Sequence, residues 1–141
     1  MRVTRRYRFS ASHRLHAPQL SGDENRILYG KCNNPHGHGH DYVLEVSVRG
    51  PVDEATGLVL KTRVLDRLVT ERVLAVFDHA NLNTQVEAFS AVVPTTENVA
   101  GEIASRLQIR WKLTFPAGVE LEKVRLHETG RNTFELLLGQ A

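Results

Sequence analysis

The chain has one cysteine among its 141 residues. A lone thiol cannot close an intramolecular disulfide, so no disulfide framework staples the fold, and the composition fits a reducing compartment. No apolar run is long enough to cross a bilayer, and the N-terminus lacks the apolar core of a secretory signal. The expectation is a cytoplasmic protein with no membrane partner. Aromatic residues are few, at 6%, and no basic run is interleaved with stacking rings, so nucleic acid is not an expected partner. The net charge of +2 is too weak to argue for or against a polyanion. No glycine-rich dinucleotide fingerprint is present either.

What is there is an ordinary globular composition, 41% hydrophobic and 24% charged. That is enough for a single domain, 1–141, and too little for two. A core this modest suits a sheet with two helices, and any large cavity needs a neighbouring subunit.

Residues 3–13, "VTRRYRFSASH", place Val3, Tyr7, Phe9, Ala11 and His13 on one parity and Arg6, Arg8, Ser10 and Ser12 on the other. This alternation predicts a half-buried strand. A long polar connection follows. "HDYVLEVSVRG" alternates again, with Tyr42, Leu44, Val46 and Val48 on one face. Residues 58–60 read as a brief extended piece. The apolar spacing over 62–77 is helical, with Thr62 as its cap. A long loop, 78–94, leads to a second helix that begins at "TTEN". "RWKLTFPAG" reads as a connection, and two strands, 119–128 and 132–138, follow. The order ββααββ indicates an α+β fold with an antiparallel four-stranded sheet.

The chemistry concentrates in "GKCNNPHGHGHDY", residues 30–42. His36, His38 and His40 stand two apart, so on an extended chain their imidazoles share a side and any neighbouring pair can meet one ion. The glycines between them leave freedom and room. His13, at the end of a strand on its apolar side, is the best third donor; His16 is a weaker one. Three imidazoles with one open position are the donor set of a catalytic zinc. Cys32 is a fourth ligand, a reactive thiol favoured as thiolate by Lys31, or packing material. Asp78 and His79 stand side by side at the start of the long loop. Glu128 follows Val124 and Leu126 in phase, so its carboxylate points to the apolar side and needs a partner. Paired N–H groups of an amidine-like heterocycle would satisfy it.

"FSASHRL", "GKCNNPHGHGHDY", "ATGLV", "FDHANLN", "TTENVA" and "HET" occur in an order that resembles the 6-pyruvoyl-tetrahydropterin synthase family, which includes the 6-carboxytetrahydropterin synthases of the queuosine (7-deazaguanine) pathway. The resemblance implies the tunnelling fold, a four-stranded antiparallel sheet with two helices on one face, assembled as an oligomeric barrel in a homohexamer with sites between subunits. It implies zinc on His13, His38 and His40, with His36 a bystander. It implies proton transfer by Cys32, Asp78 and His79. It implies a pterin anchored by Glu128 near Thr95, Thr96 and Glu97. The implied substrate is the small molecule 7,8-dihydroneopterin triphosphate. The implied activity is that of a carbon–oxygen lyase which eliminates triphosphate to give 6-pyruvoyl-tetrahydropterin. The alternatives are 6-carboxytetrahydropterin formation by a carbon–carbon lyase on the same scaffold and, more remotely, a non-catalytic metal-binding module. The sequence departs from the family pattern at Asp41, at Lys61 and in a longer 109–116 connection.

Overall fold

The computed structural model describes residues 1–139. In chain order its elements are β1 (Arg2–His13), α1 (Gly22–Tyr29), β2 (His38–Arg49), α2 (Thr62–Val69), α3 (Ala75–Phe77), β3 (Ala80–Asn81), α4 (Leu82–Gln85), α5 (Thr96–Thr114), β4 (Glu120–His127) and β5 (Thr133–Leu137). A π-helical stretch, Thr70–Leu74, joins α2 to α3.

β1 and β2 pair antiparallel over their whole length, from Arg2 opposite Arg49 to His13 opposite His38. β4 continues the sheet antiparallel to β2, and β5 antiparallel to β4. The sheet order is β3-β1-β2-β4-β5. The expected four-stranded antiparallel sheet is therefore a five-stranded mixed one, because β3 runs parallel to β1. Its cause lies at the end of α3. His79 turns the chain with φ 60°, and its N–H donates to Ser10 O at 2.6 Å. That contact hooks the next two residues onto the free edge of β1.

One face of the sheet is apolar. Phe9, Ala11, Tyr42, Leu44, Val46, Val48, Val124 and Leu126 meet Leu65, Val69, Val73 and Phe77 from α2–α3 and Val99, Ile103 and Leu107 from α5. Each large side chain buried there contributes roughly 1.5–3 kcal/mol. The opposite face is polar. Arg6 Nη2 lies 2.7 Å from Glu45 Oε2, and Arg125 Nη1 lies 3.3 Å from Glu45 Oε1. The arginines of β1 are thus largely the ion-paired polar side of a strand. Arg5 is the exception: it faces α2, where it pairs with Asp66 at 2.6 Å.

Five further expectations need correction. The polar connection after β1 contains α1, fixed by a capping box between Ser21 and Glu24. Thr62 does not cap α2; the cap position is Lys61, with no side-chain bond. Residues 58–60 form no strand. The supposed longer connection at 109–114 is helix. Trp111 extends the buried stripe of Ile103 and Leu107, and its indole N–H donates to Val119 O at 2.9 Å. The exposed Ile109 and Leu113 blur the periodicity there. The long loop 78–94 is likewise subdivided, by β3, α4 and a short 3-10 turn, Glu87–Phe89.

Candidate active site

The β1–β2 register brings three imidazoles to one point. His13 sits directly opposite His38, and His40 follows two residues along the same face. His38 Nε2 and His40 Nε2 are 2.8 Å apart, and His40 Nε2 is 3.1 Å from His13 Nε2. Nitrogens around a tetrahedral zinc stand about 3.3 Å apart, so the spacing is that of a metal centre. His13 is buried, and its Nδ1 lies 2.9 Å from Pro94 O. An N–H donated to that carbonyl leaves the Nε2 lone pair directed at the other two rings. Burial, aided by the neighbouring imidazoles, pushes the His13 pKa down to about 4. Burial likewise lowers that of His40. Both rings are therefore neutral at pH 7, the state that ligates a metal. The donor set and its protonation fit zinc.

His36 is exposed and outside this group. His16 is engaged elsewhere, its Nδ1 3.1 Å from Asn33 Nδ2. The glycines differ in role. Gly37 has φ 71°, and a Cβ there would stand 2.8 Å from His13 O. Gly39 has ordinary strand geometry, with the nearest atom at 3.8 Å.

Cys32 lies in a 3-10 turn, Gly30–Asn33. Leu15 N–H donates to Cys32 O at 2.7 Å, and buried Asn33 donates to Leu15 O at 2.7 Å. The turn is thereby tied to the chain just beyond His13. Cys32 Sγ is 3.5 Å from His38 Nε2 and belongs to the same cluster, whose ligand atoms all lie within 4.8 Å of one another. The expectation that Lys31 favours the thiolate is not met. Lys31 is exposed, while burial and the charge of Glu128 push the Cys32 thiol up.

Glu128 faces the same cavity as Cys32, His38 and His40, with Oε1 at 3.6 Å from His40 Nε2. Burial raises its pKa, and the charge of exposed Glu97 adds to the effect. The Thr96 hydroxyl donates to Glu128 Oε2. Thr95 has a separate task, since its hydroxyl caps α5 by accepting from Asn98 N–H. The buried Tyr42 hydroxyl, beneath His40, has no hydrogen-bond partner among the described residues.

Asp78 and His79 are held at the β3 edge. Ser10 N–H donates to Asp78 Oδ1 at 2.9 Å. His79 Nε2 is 3.6 Å from Asp78 Oδ2, beyond hydrogen-bond reach, and its side chain is 83% exposed. His79 lines a different cavity, with Ser10, Ser12 and Asp41. Asp41 Oδ1 is 2.5 Å from Ser10 Oγ. Within one chain, then, Cys32 and His79 do not share a cavity.

Sequence reading missed Arg14 and Asn83. Asn83 clamps the backbone of Arg14 from both sides, accepting from its N–H at 2.7 Å and donating to its carbonyl at 2.8 Å. No local signal reveals a contact across 69 residues.

The family model for 6-pyruvoyl tetrahydropterin synthase matches residues 2–137. The 6-pyruvoyl tetrahydrobiopterin synthase of Homo sapiens is 48% identical over 130 residues, covering 92% of this chain and 86% of the human protein. That of Dictyostelium discoideum is 40% identical over 139 residues, covering 98% and 96%. The solved structure of Caenorhabditis elegans 6-pyruvoyl tetrahydropterin synthase is similar with a TM-score of 0.88 at 40% identity, covering 99% of this chain and 96% of that one. The sheet, the helices packed on it and the histidine cluster at its end are thus those of a protein that belongs to the 6-pyruvoyl tetrahydropterin synthase family.

Proposed function

We propose that this chain converts 7,8-dihydroneopterin triphosphate to 6-pyruvoyl-tetrahydropterin, as a lyase that eliminates triphosphate. One observation carries the reading beyond the relatives' names. The His38 and His40 imidazoles, the Cys32 thiol and the half-buried Glu128 carboxylate line one cavity, with the buried His13 Nε2 against the two imidazoles. A site that only stored metal would have no need of the Glu128 carboxylate turned into the cavity with its Thr96 partner.

His13, His38 and His40 would hold zinc, which when bound supplies a Lewis acid toward the oxygens of the substrate side chain. Glu128 accepts the paired N–H groups of the pterin ring, and the Thr96 hydroxyl orients its carboxylate. Glu97 acts on the anchor through its charge, and Thr95 by capping the helix that carries Thr96. Cys32 exchanges protons with the carbon side chain of the substrate, beside which its thiol would stand in the shared cavity. Asp78 and His79 form the second proton relay. Because they lie away from Cys32 in the same chain, the relay reaching a given cavity comes from another copy, in a homohexamer. The single cysteine favours a reducing, cytoplasmic setting; no helix among the described residues is long and apolar enough to cross a membrane.

The test is incubation of zinc-loaded protein with 7,8-dihydroneopterin triphosphate and identification of products by mass. A pyruvoyl pterin and free triphosphate are expected. A 6-carboxypterin with loss of a two-carbon fragment would move the protein to the alternative reaction. No turnover by either route would overturn both.

A further inference from the structure

The proposed reaction leaves the triphosphate of the substrate without a binding site. The cavity that holds Cys32, His38, His40 and Glu128 has a volume of about 730 Å³ and is also lined by Arg14, Arg26 and Lys31. Among the described residues Glu128 is the only carboxylate that lines it. Three fixed positive charges therefore share the cavity with one negative charge, which is itself committed to the pterin.

Arg14 is unusually well fixed. It follows His13 directly, and Asn83 bonds both its backbone N–H and its carbonyl. Its Nε donates to Asn33 O at 3.2 Å, and Asn33 is buried and bonded in turn to Leu15 O. Among the described residues this is the only hydrogen bond of the guanidinium. The two terminal nitrogens stay available, in a planar fork that suits phosphate oxygens. Lys31 is exposed, next to Cys32, and has no ion pair among the described residues. Arg26 is already paired with Asp23 and is the weakest of the three.

We propose that Arg14, assisted by Lys31, forms the triphosphate subsite and sets the preference for phosphorylated over unphosphorylated pterin. Glu128 fixes the ring, the imidazoles and Cys32 meet the side chain, and the phosphates beyond it meet Arg14. The inference rests on the synthase reading for its ligand, though not for the anion site itself.

The experiment uses the zinc-loaded wild type, Arg14→Gln and Lys31→Gln. It measures kcat and KM for 7,8-dihydroneopterin triphosphate, inhibition by inorganic triphosphate, binding of phosphate-free 7,8-dihydroneopterin, and zinc content. Arg14→Gln is expected to raise KM and the inhibition constant of inorganic triphosphate together by about tenfold, the loss of one charge-assisted bond. Phosphate-free binding and zinc content stay unchanged. Lys31→Gln, on the surface, is expected to raise both constants about threefold. Equal weakening of phosphate-free and phosphorylated pterin by Arg14→Gln would make Arg14 a structural support and overturn the proposal. Unchanged inhibition by inorganic triphosphate in both variants would also overturn it, and Lys31→Gln alone decides if Arg14→Gln fails to fold. If wild type binds inorganic triphosphate through these residues but converts no pterin, the anion site stands and the synthase reading falls.

Discussion

Gly37 sits where the proposed metal site leaves no space for a side chain. Its φ is positive, and a Cβ at this position would come within 2.8 Å of His13 O. No room is left for a side chain between the two ligand-bearing strands. Gly37→Ala should cost about 1–3 kcal/mol and lower zinc content, because the backbone must retreat from His13. Gly39→Ala is the control: with its nearest neighbour at 3.8 Å, it should fold and bind zinc like the wild type. Thermal unfolding and metal analysis on both proteins check the pair. The histidines divide the same way. His38→Ala should lose zinc and His36→Ala should keep it, since only His38 lies opposite His13; zinc retained in the His38 variant would refute the assignment. Strand parity made His13 readable as a core-facing ligand candidate. Parity alone left His36, His38 and His40 equivalent, because their separation follows from pairing with a partner strand.

At the scale of elements, α2 is fastened to β1 by a polar contact as well as by packing. Asp66 accepts from Arg5 at 2.6 Å and from the Tyr7 hydroxyl at 2.7 Å. The Arg5 bond is the main reason that the Asp66 pKa falls below its ordinary 3.8. The folded state therefore binds that proton less readily than the unfolded chain. The stability gained is complete above the ordinary value and disappears as pH falls through the lowered one. Asp66→Ala should lose about 1 kcal/mol near neutral pH, a modest figure because the pair is partly exposed. The gap to wild type should begin to narrow below about pH 4 and close only below the lowered pKa. Denaturant unfolding at pH 7 and pH 3 tests this, and an equal loss at both would assign the effect to packing. Helix and strand periodicity made β1, β2, β4, β5, the start of α5 and the α2–α3 helix legible. α1 was not legible and reads as a polar connection; the Ser21 and Glu24 capping pair that marks it is present, but the segment carries no apolar stripe to announce a helix. β3 was not legible, since two residues bound to an edge carry no pattern of their own; it depends on His79 adopting a left-handed turn against Ser10.

At the scale of the whole molecule, the question is how Cys32 and His79, in their proposed roles, would reach one substrate. Cys32 shares a cavity with His38, His40 and Glu128, whereas His79, beside Ser10 and Asp41, lines another that borders the first at His40. Backbone bonds hold each in place, Cys32 O accepting from Leu15 N–H and His79 N–H donating to Ser10 O. Ser10 lies in β1 and Leu15 two residues past its end at His13, so a large shift of either backbone would disturb the proposed metal site. The proposed assembly would solve this without deformation: the sheet edge bearing His79 in one copy would meet the Cys32 cavity of the next, and a closed ring would repeat the contact in every subunit. Separately inactive variants should then complement each other. Cys32→Ala and His79→Ala, unfolded together in equal amounts and refolded with zinc, should recover roughly a quarter of wild-type activity, since a site is intact when each contributing copy supplies its native residue. Each variant refolded alone should stay inactive, and sedimentation should show the mixed assembly at wild-type size. A mixed assembly of full size with no recovered activity would place both residues in one chain's site and refute the shared arrangement.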